Sequence, residues 1–239
     1  MAKRTEREAA DILLSAEQKE VGAREYINSH WVESWNDKGY LIEHSDESNR
    51  YSIVIVGENH LMEEEWQKQA ELIKIVKPEY VLHEWLGPLV YDPETKTFEG
   101  ATKDHENYAT DEIRIKSKIG PYGLPAELYD LAQELKFEIV GGDLSQKELR
   151  ELEGRVGAEE RGIKKEGIYM PGTDQQVVRI RDERMVKKII EYQNKATRPI
   201  VVIVGWGHGT GIHDQQLLQQ KGALGYIYVN QGIKNTEKK

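Results

Sequence analysis

Two short motifs of one form stand out in the chain: Gly57-Glu58-Asn59-His60 and Gly205-Trp206-Gly207-His208, each a Gly-x-x-His set directly after a dense apolar run. Only seven histidines occur in 239 residues, so two of them at matched offsets carry information. Two further apolar runs end in His83-Glu84-Trp85 and in Gly141-Gly142-Asp143. Imidazole nitrogens and carboxylate oxygens suit Zn²⁺, Mn²⁺, Fe²⁺ or Co²⁺, and a catalytic ion takes about three protein ligands with one position left for water. The candidate ligands are His60, His208, Glu84 and Asp143. Glu58 or Glu84 would then accept the proton that a metal-bound water releases near neutral pH. Each candidate also has a plain reading: turn histidines, a structural Glu84, and Asp143 as a helix N-cap before Leu144 and Ser145. His83, adjoining Glu84, points to the opposite face of its strand and reads as structural, and His213 reads as a surface residue.

A second kind of candidate is an arginine. Val178, Arg181, Met185, Ile189 and Tyr192 follow helical spacing, which sets Arg181 within an apolar stripe. A buried guanidinium is costly unless paired, so Arg181 should meet a carboxylate, Glu84 or Asp143, or stabilise a developing oxyanion. Arg184, on the flank with Val177 and Ile180, is the reserve. The glycine-rich stretch 205–211 is not a dinucleotide fingerprint, because the third glycine position falls on Thr210 and the first strand is followed by GENH instead.

The elements that must hold these residues read as strands alternating with helices. Ile53–Val56, Tyr80–Leu82, Phe137–Val140, Ile200–Val204 and Tyr226–Val229 are apolar but for Glu138, the pattern of strands covered on both faces. Helices are expected near 62–77, 125–136, 145–167, 174–195 and 211–221. Residues 2–28 read as a polar helix with a thin stripe (Ala9, Leu13, Ala16, Val21) that packs on the domain or mediates association. Tyr40-Leu41-Ile42 and the run from Tyr51 read as a hairpin entering the sheet, and 86–123 reads as an irregular, lid-like insertion. The expectation is one α/β domain over 1–239 with a mostly parallel sheet, helices on both faces, an extension at 1–50 and a core at 51–230. In such sheets ligands bind beyond the carboxyl ends of the strands, where the histidine and carboxylate candidates stand.

Composition narrows the partners. Lys and Arg number 33 against 42 Asp and Glu, a net charge of −9, which argues against nucleic acid as a partner. The absence of cysteine removes disulfides, thiolate zinc sites and thiol nucleophiles. No stretch approaches the ~18 apolar residues of a membrane span and no cleavable leader is visible, so a soluble cytoplasmic protein is expected, with no membrane partner.

VGENH at 56–60, KPEYVLHEW at 77–85, AELYDLAQELKFEIVGGD at 126–143, RDERMV at 181–186 and VVIVGWGHGTGI at 201–212 together resemble the superfamily of TraB/pheromone-shutdown, Tiki and GumN-like proteins, related to erythromycin esterase and ChaN-like proteins. The pieces stand in family order over roughly 50–230. The resemblance implies an α/β domain with its site on the strand ends: a divalent-metal peptidase in the Tiki branch, a histidine–glutamate-activated water attacking an ester in the esterase branch. It also implies that His60 and His208 are the paired histidines, Glu84 the strand-two carboxylate and Arg181 the motif arginine. Ile180 departs from the pattern, since many relatives carry glutamate there.

Two functions follow as expectations. The first is a metal-dependent hydrolase, peptidase or esterase, with Mn²⁺, Zn²⁺ or Co²⁺ and a peptide or small-molecule substrate. The second is a non-catalytic protein of the same scaffold that binds a metal, haem, a peptide signal or a phosphorylated metabolite. A homo-oligomer is compatible with either.

Overall fold

The structure, a computed structural model, describes residues 27–28, 41–44, 50–59, 63–100, 123–165, 168–169, 171–223 and 225–230. The apolar runs form one eight-stranded sheet. Its strands are β1 (Leu41–His44), β2 (Ile53–Glu58), β3 (Tyr80–His83), β4 (Val90–Asp92), β5 (Thr97–Glu99), β6 (Glu138–Gly141), β7 (Ile200–Gly205) and β8 (Tyr226–Asn230). Their spatial order is β1-β8-β2-β7-β3-β6-β4-β5. The central five, β8 to β6, are parallel; β1 closes one edge and the β4–β5 hairpin the other, all antiparallel to their neighbours.

Helices cover both faces: α1 (Glu63–Val76), α2 (Ala126–Leu135), α3 (Gln146–Val156), α4 (Ala158–Arg161), α5 (Gln175–Lys195), α6 (Trp206–Asp214) and α7 (Leu217–Gln220). Alternation along each strand divides the core. Val54, Val56, Val81, Ile139, Val201 and Ile203 pack with Ile73 of α1 and Leu128 and Leu131 of α2. Ile53, Ile55, Leu82, Val140, Val202 and Val204 pack with Met185, Val186 and Ile189 of α5, Ile212 of α6 and Leu218 of α7. Each such buried aliphatic contributes about 1.5–3 kcal/mol relative to exposure, which is why β-branched runs flanked by helices settle into the middle of the sheet.

The α/β expectation holds, with local corrections. The expected hairpin between 40–42 and the run from Tyr51 does not form: β1 pairs with β8, and β2 lies beyond β8. Ile27–Asn28, at the end of the expected N-terminal helix, is a short strand paired with Arg50–Tyr51; the rest of 2–28 lies outside the described residues. The insertion is regular where it is described, since 90–99 extends the sheet through a hairpin, and Tyr108 and Tyr122 lie outside the described residues. The single helix expected over 145–167 ends at Val156, because Gly157 adopts φ 61° as a left-handed cap, and a short antiparallel pair, Lys164–Lys165 with Ile168–Tyr169, follows α4. The expected helix at 211–221 begins earlier: β7 passes straight into α6, with Gly205 as both last strand residue and N-cap.

Candidate functional site

The register of the central strands decides which side chains can meet. Gly205 lies opposite Glu58, Ile203 opposite His83, and His83 opposite Gly141, so β2 and β7 end together, two residues beyond the level at which β3 and β6 end. Beyond that level two polar clusters form, one on each face of the sheet.

On the α5 face, Glu84 is the hub. It opens the 3₁₀ turn Glu84–Leu86, whose N-cap His83 accepts the Trp85 N–H on Nδ1 at 3.2 Å. Glu84 Oε2 accepts the Gly205 N–H at 2.7 Å, and Oε1 accepts Arg181 Nη2 at 2.7 Å. His208 Nε2 stands 3.4 Å from the same Oε1. Asp143 holds the other side of the guanidinium: Arg181 Nε donates to Oδ2 at 2.8 Å and Nη2 donates to the same oxygen, while Oδ1 accepts the Leu144 N–H at 2.7 Å. Burial alone would lower the affinity of Arg181 for its proton, but the hydrogen bonds and charges of Asp143 and Glu84 outweigh it and hold the guanidinium above its usual range. Asp182, 1% exposed, meets His208 Nδ1 through Oδ1 at 2.5 Å. Burial pushes the Asp182 carboxyl up, opposed by the His208 contact. Asp143, Arg181, Glu84, His208 and Asp182 thus form one connected buried chain, with three carboxylates against a single guanidinium.

On the α1 face, Glu58 accepts from Gln69 Nε2, and its Oε1 lies 4.0 Å from His83 Nε2. Glu65 caps the strand end by accepting the Asn59 N–H at 2.7 Å. Burial, with the nearby charge of Glu58 as a smaller contribution, raises the Glu65 carboxyl against the opposing Asn59 hydrogen bonds.

Glycines admit the neighbours of this site. A β-carbon on Gly211 would come 2.8 Å from Asp182 Oδ2, and one on Gly57 or Gly209 would meet Tyr228 at 2.9 or 2.8 Å. The Tyr228 ring is therefore wedged beneath both Gly-x-x-His segments, with its hydroxyl 3.0 Å from Thr210 Oγ1.

Of the residues singled out from sequence, Glu84, Asp143, Arg181 and His208 are brought together. Glu58 is carried to the other face, beside His83, and His60 lies outside the described residues. Arg184 is the outer arginine, pairing with Glu148 at 3.3 Å with both side chains two-fifths exposed. The expected N-cap at Asp143 is corrected to Ser145, which forms a capping box with Glu148. His213 is half-buried in the last turn of α6, with Nδ1 2.9 Å from the Tyr226 hydroxyl. Asp182 was not among the candidates. The buried face of α5 is Val177, Asp182, Met185, Val186, Ile189, Tyr192 and Gln193, so the expected stripe holds at Met185, Ile189 and Tyr192, while at its start Val177 and Asp182 are buried in place of Val178 and Arg181. That spacing was available in the sequence, but Asp182 sits inside the charged run RDER.

Among the described residues, no group of three His, Asp or Glu side chains is arranged to hold a metal ion, and no helix is long and apolar enough to cross a membrane. Comparison with family models, with curated proteins and with solved structures returns no match.

Proposed function

We propose that this chain is a metal-dependent hydrolase acting on a peptide or ester bond, on a scaffold that resembles the TraB–Tiki–GumN group. The observation that supports the reading is the approach of His208 Nε2 to Glu84 Oε1 at 3.4 Å, within a buried cluster short of positive charge. Two tetrahedral ligands with bonds of about 2.1 Å stand roughly 3.4 Å apart, so this pair fits two corners of a metal site. His208 Nε2 and Glu84 Oε1, with His60 of the other Gly-x-x-His, would hold Mn²⁺, Zn²⁺ or Co²⁺. A bound ion would supply an activated water and a polarised carbonyl.

The chain's own residues do the rest. Glu84 is the carboxylate on the His208 side and, where it does not itself hold the ion, would accept the proton of the attacking water. Arg181 orients that carboxylate through its Nη2 bond to Oε1, and its charge would face the developing oxyanion. Asp143, with both oxygens engaged, fixes the guanidinium in place. Burial keeps these interactions strong. The cytoplasm and a small-molecule or peptide substrate belong to the same reading.

The binding-protein alternative is favoured by one observation: Arg181 already directs Nε and Nη2 to Asp143 and Glu84, which leaves it less to offer a substrate. One experiment separates the two. Metal content and melting temperature are measured with Mn²⁺, Zn²⁺ and Co²⁺, and the loaded protein is screened on peptide and ester libraries beside His208→Ala, His60→Ala and Glu84→Gln. The hydrolase reading expects an upward shift in melting temperature and a turnover that falls ~10²–10⁴-fold in the variants. Equal turnover by parent and variants overturns it; stabilisation without any turnover favours the binding protein.

A further inference from the structure

We infer that Asp182 is the positioning residue of His208: it fixes the neutral imidazole as the Nδ1–H tautomer, leaving the Nε2 lone pair beside Glu84. The argument is a count of donors. Asp182 is buried, Oδ2 has no hydrogen-bond partner among the described residues, and Oδ1 has the His208 ring nitrogen at 2.5 Å. If the ring proton were on Nε2, this carboxylate would stand in the core with no donor at all, which is expensive. Glu84 has no such need. Its Oε2 receives the Gly205 N–H and its Oε1 the Arg181 guanidinium, so it loses little when Nε2 is bare. The neutral ring therefore keeps its proton toward Asp182. A carboxylate behind the far nitrogen is also the arrangement that sets tautomer and orientation in metal-bound and general-base histidines.

Gly211 is the second part of the device. It lies one turn along α6 from His208, and its missing side chain makes the space for Asp182 Oδ2; a β-carbon there would stand 2.8 Å from that oxygen. The Asp182 contact is thus set by two elements, α5 through the carboxylate and α6 through both the imidazole and the glycine that admits it.

The consequence for turnover rests on the hydrolase reading, but the tautomer is measured in the resting protein without substrate or added metal. The experiment is a long-range ¹H–¹⁵N correlation of the imidazole rings in the full chain, well above the ordinary histidine value of about 6.5, with His208 assigned by its loss in His208→Gln. The expected wild-type pattern has a protonated Nδ1 and a pyridine-like Nε2. Asp182→Asn should shift the ring toward the Nε2–H form, and Gly211→Ala, which crowds Asp182 Oδ2 without removing any titratable group, should do so in part. An Nε2–H or doubly protonated ring in the wild type overturns the inference. So does an unchanged tautomer in a folded Asp182→Asn protein. Should that variant not fold, the wild-type ring and Gly211→Ala decide: an Nδ1–H ring perturbed by the glycine substitution supports the assignment, and one that ignores it overturns it. A locked tautomer in a protein that hydrolyses nothing removes the hydrolase reading and leaves this one standing. Hydrolysis that depends on His208, with an unlocked ring, does the reverse.

Discussion

Glu58 ends β2 and Glu84 directly follows β3, strands separated only by β7, yet their carboxylates lie on opposite faces of the sheet. Glu58 faces Gln69 on α1, whereas Glu84 faces Arg181 on α5. The two acids are not interchangeable bases for an event at His208. With a substrate from the library screen, kcat/KM of Glu84→Gln is expected to fall ~10²–10⁴-fold, and that of Glu58→Gln by less than about tenfold. An equal loss in both would show that the sheet does not separate them functionally.

Arg181 and Arg184 sit one turn apart on α5 and should respond differently to the same change. Arg181→Met leaves Glu84 and Asp143 buried without their shared cation, a situation that typically costs about 3–5 kcal/mol. Arg184→Met removes a solvent-facing pair with Glu148 and should cost no more than about 1 kcal/mol. Urea midpoints of the two variants, referred to the parent, check this contrast directly.

Two glycines give a comparison of packing with backbone freedom. A β-carbon on Gly141 would fall 1.8 Å from the Gly87 carbonyl oxygen, at the turn that presents Glu84, and backbone cannot step aside as a side-chain tip can. Gly141→Ala is expected to destabilise by about 3 kcal/mol or more. Gly154, on the exposed face of α3, meets nothing within 4 Å. Gly154→Ala should therefore stabilise by about 0.5–1 kcal/mol through helix propensity. Thermal melts that rank the two alike would contradict the close approach of the Gly87 turn to β6.

Glu65 makes a pH prediction. Burial is the leading cause that raises its carboxyl above the ordinary 4.5, so the folded protein holds this proton more tightly than the unfolded chain. The group contributes stability at low pH and loses it as pH rises from about the unfolded value, 4.5, through the raised folded value. Glu65→Gln can still accept the Asn59 N–H and has no charge to bury. Its unfolding free energy, followed upward from pH 4, should lack that decline and exceed the parent's at neutral pH. Parallel profiles for parent and variant would remove Glu65 as the source.

Much of the scaffold was legible because β-branched runs such as 53–56 and 200–204 cannot be satisfied anywhere but a doubly covered sheet. Glu84, Asp143 and His208 followed from asking what ends each run, and Arg181 from a charge that interrupts a helical apolar stripe. What escaped notice depended on direction, not type. Glu58 was grouped with Glu84 because both follow strands, whereas alternation assigns Glu58 to the face of Val54 and Val56. Asp182 was hidden by its charged neighbours, although the stripe through Met185, Val186 and Ile189 leads back to it. The stretch 206–210 looked like a loop because glycine lowers helix propensity. It is helical, and the missing side chains at Gly209 and Gly211 of that helix leave room for Tyr228 and Asp182.

The passage of β7 into α6 without an intervening linker gives His208 a rigid mount. The imidazole stands less than one turn from the sheet, so it cannot swing independently to follow a ligand. Any roll of α6 would carry the ring, the gap at Gly211 and the seat of Tyr228 together, displacing them as a single lever.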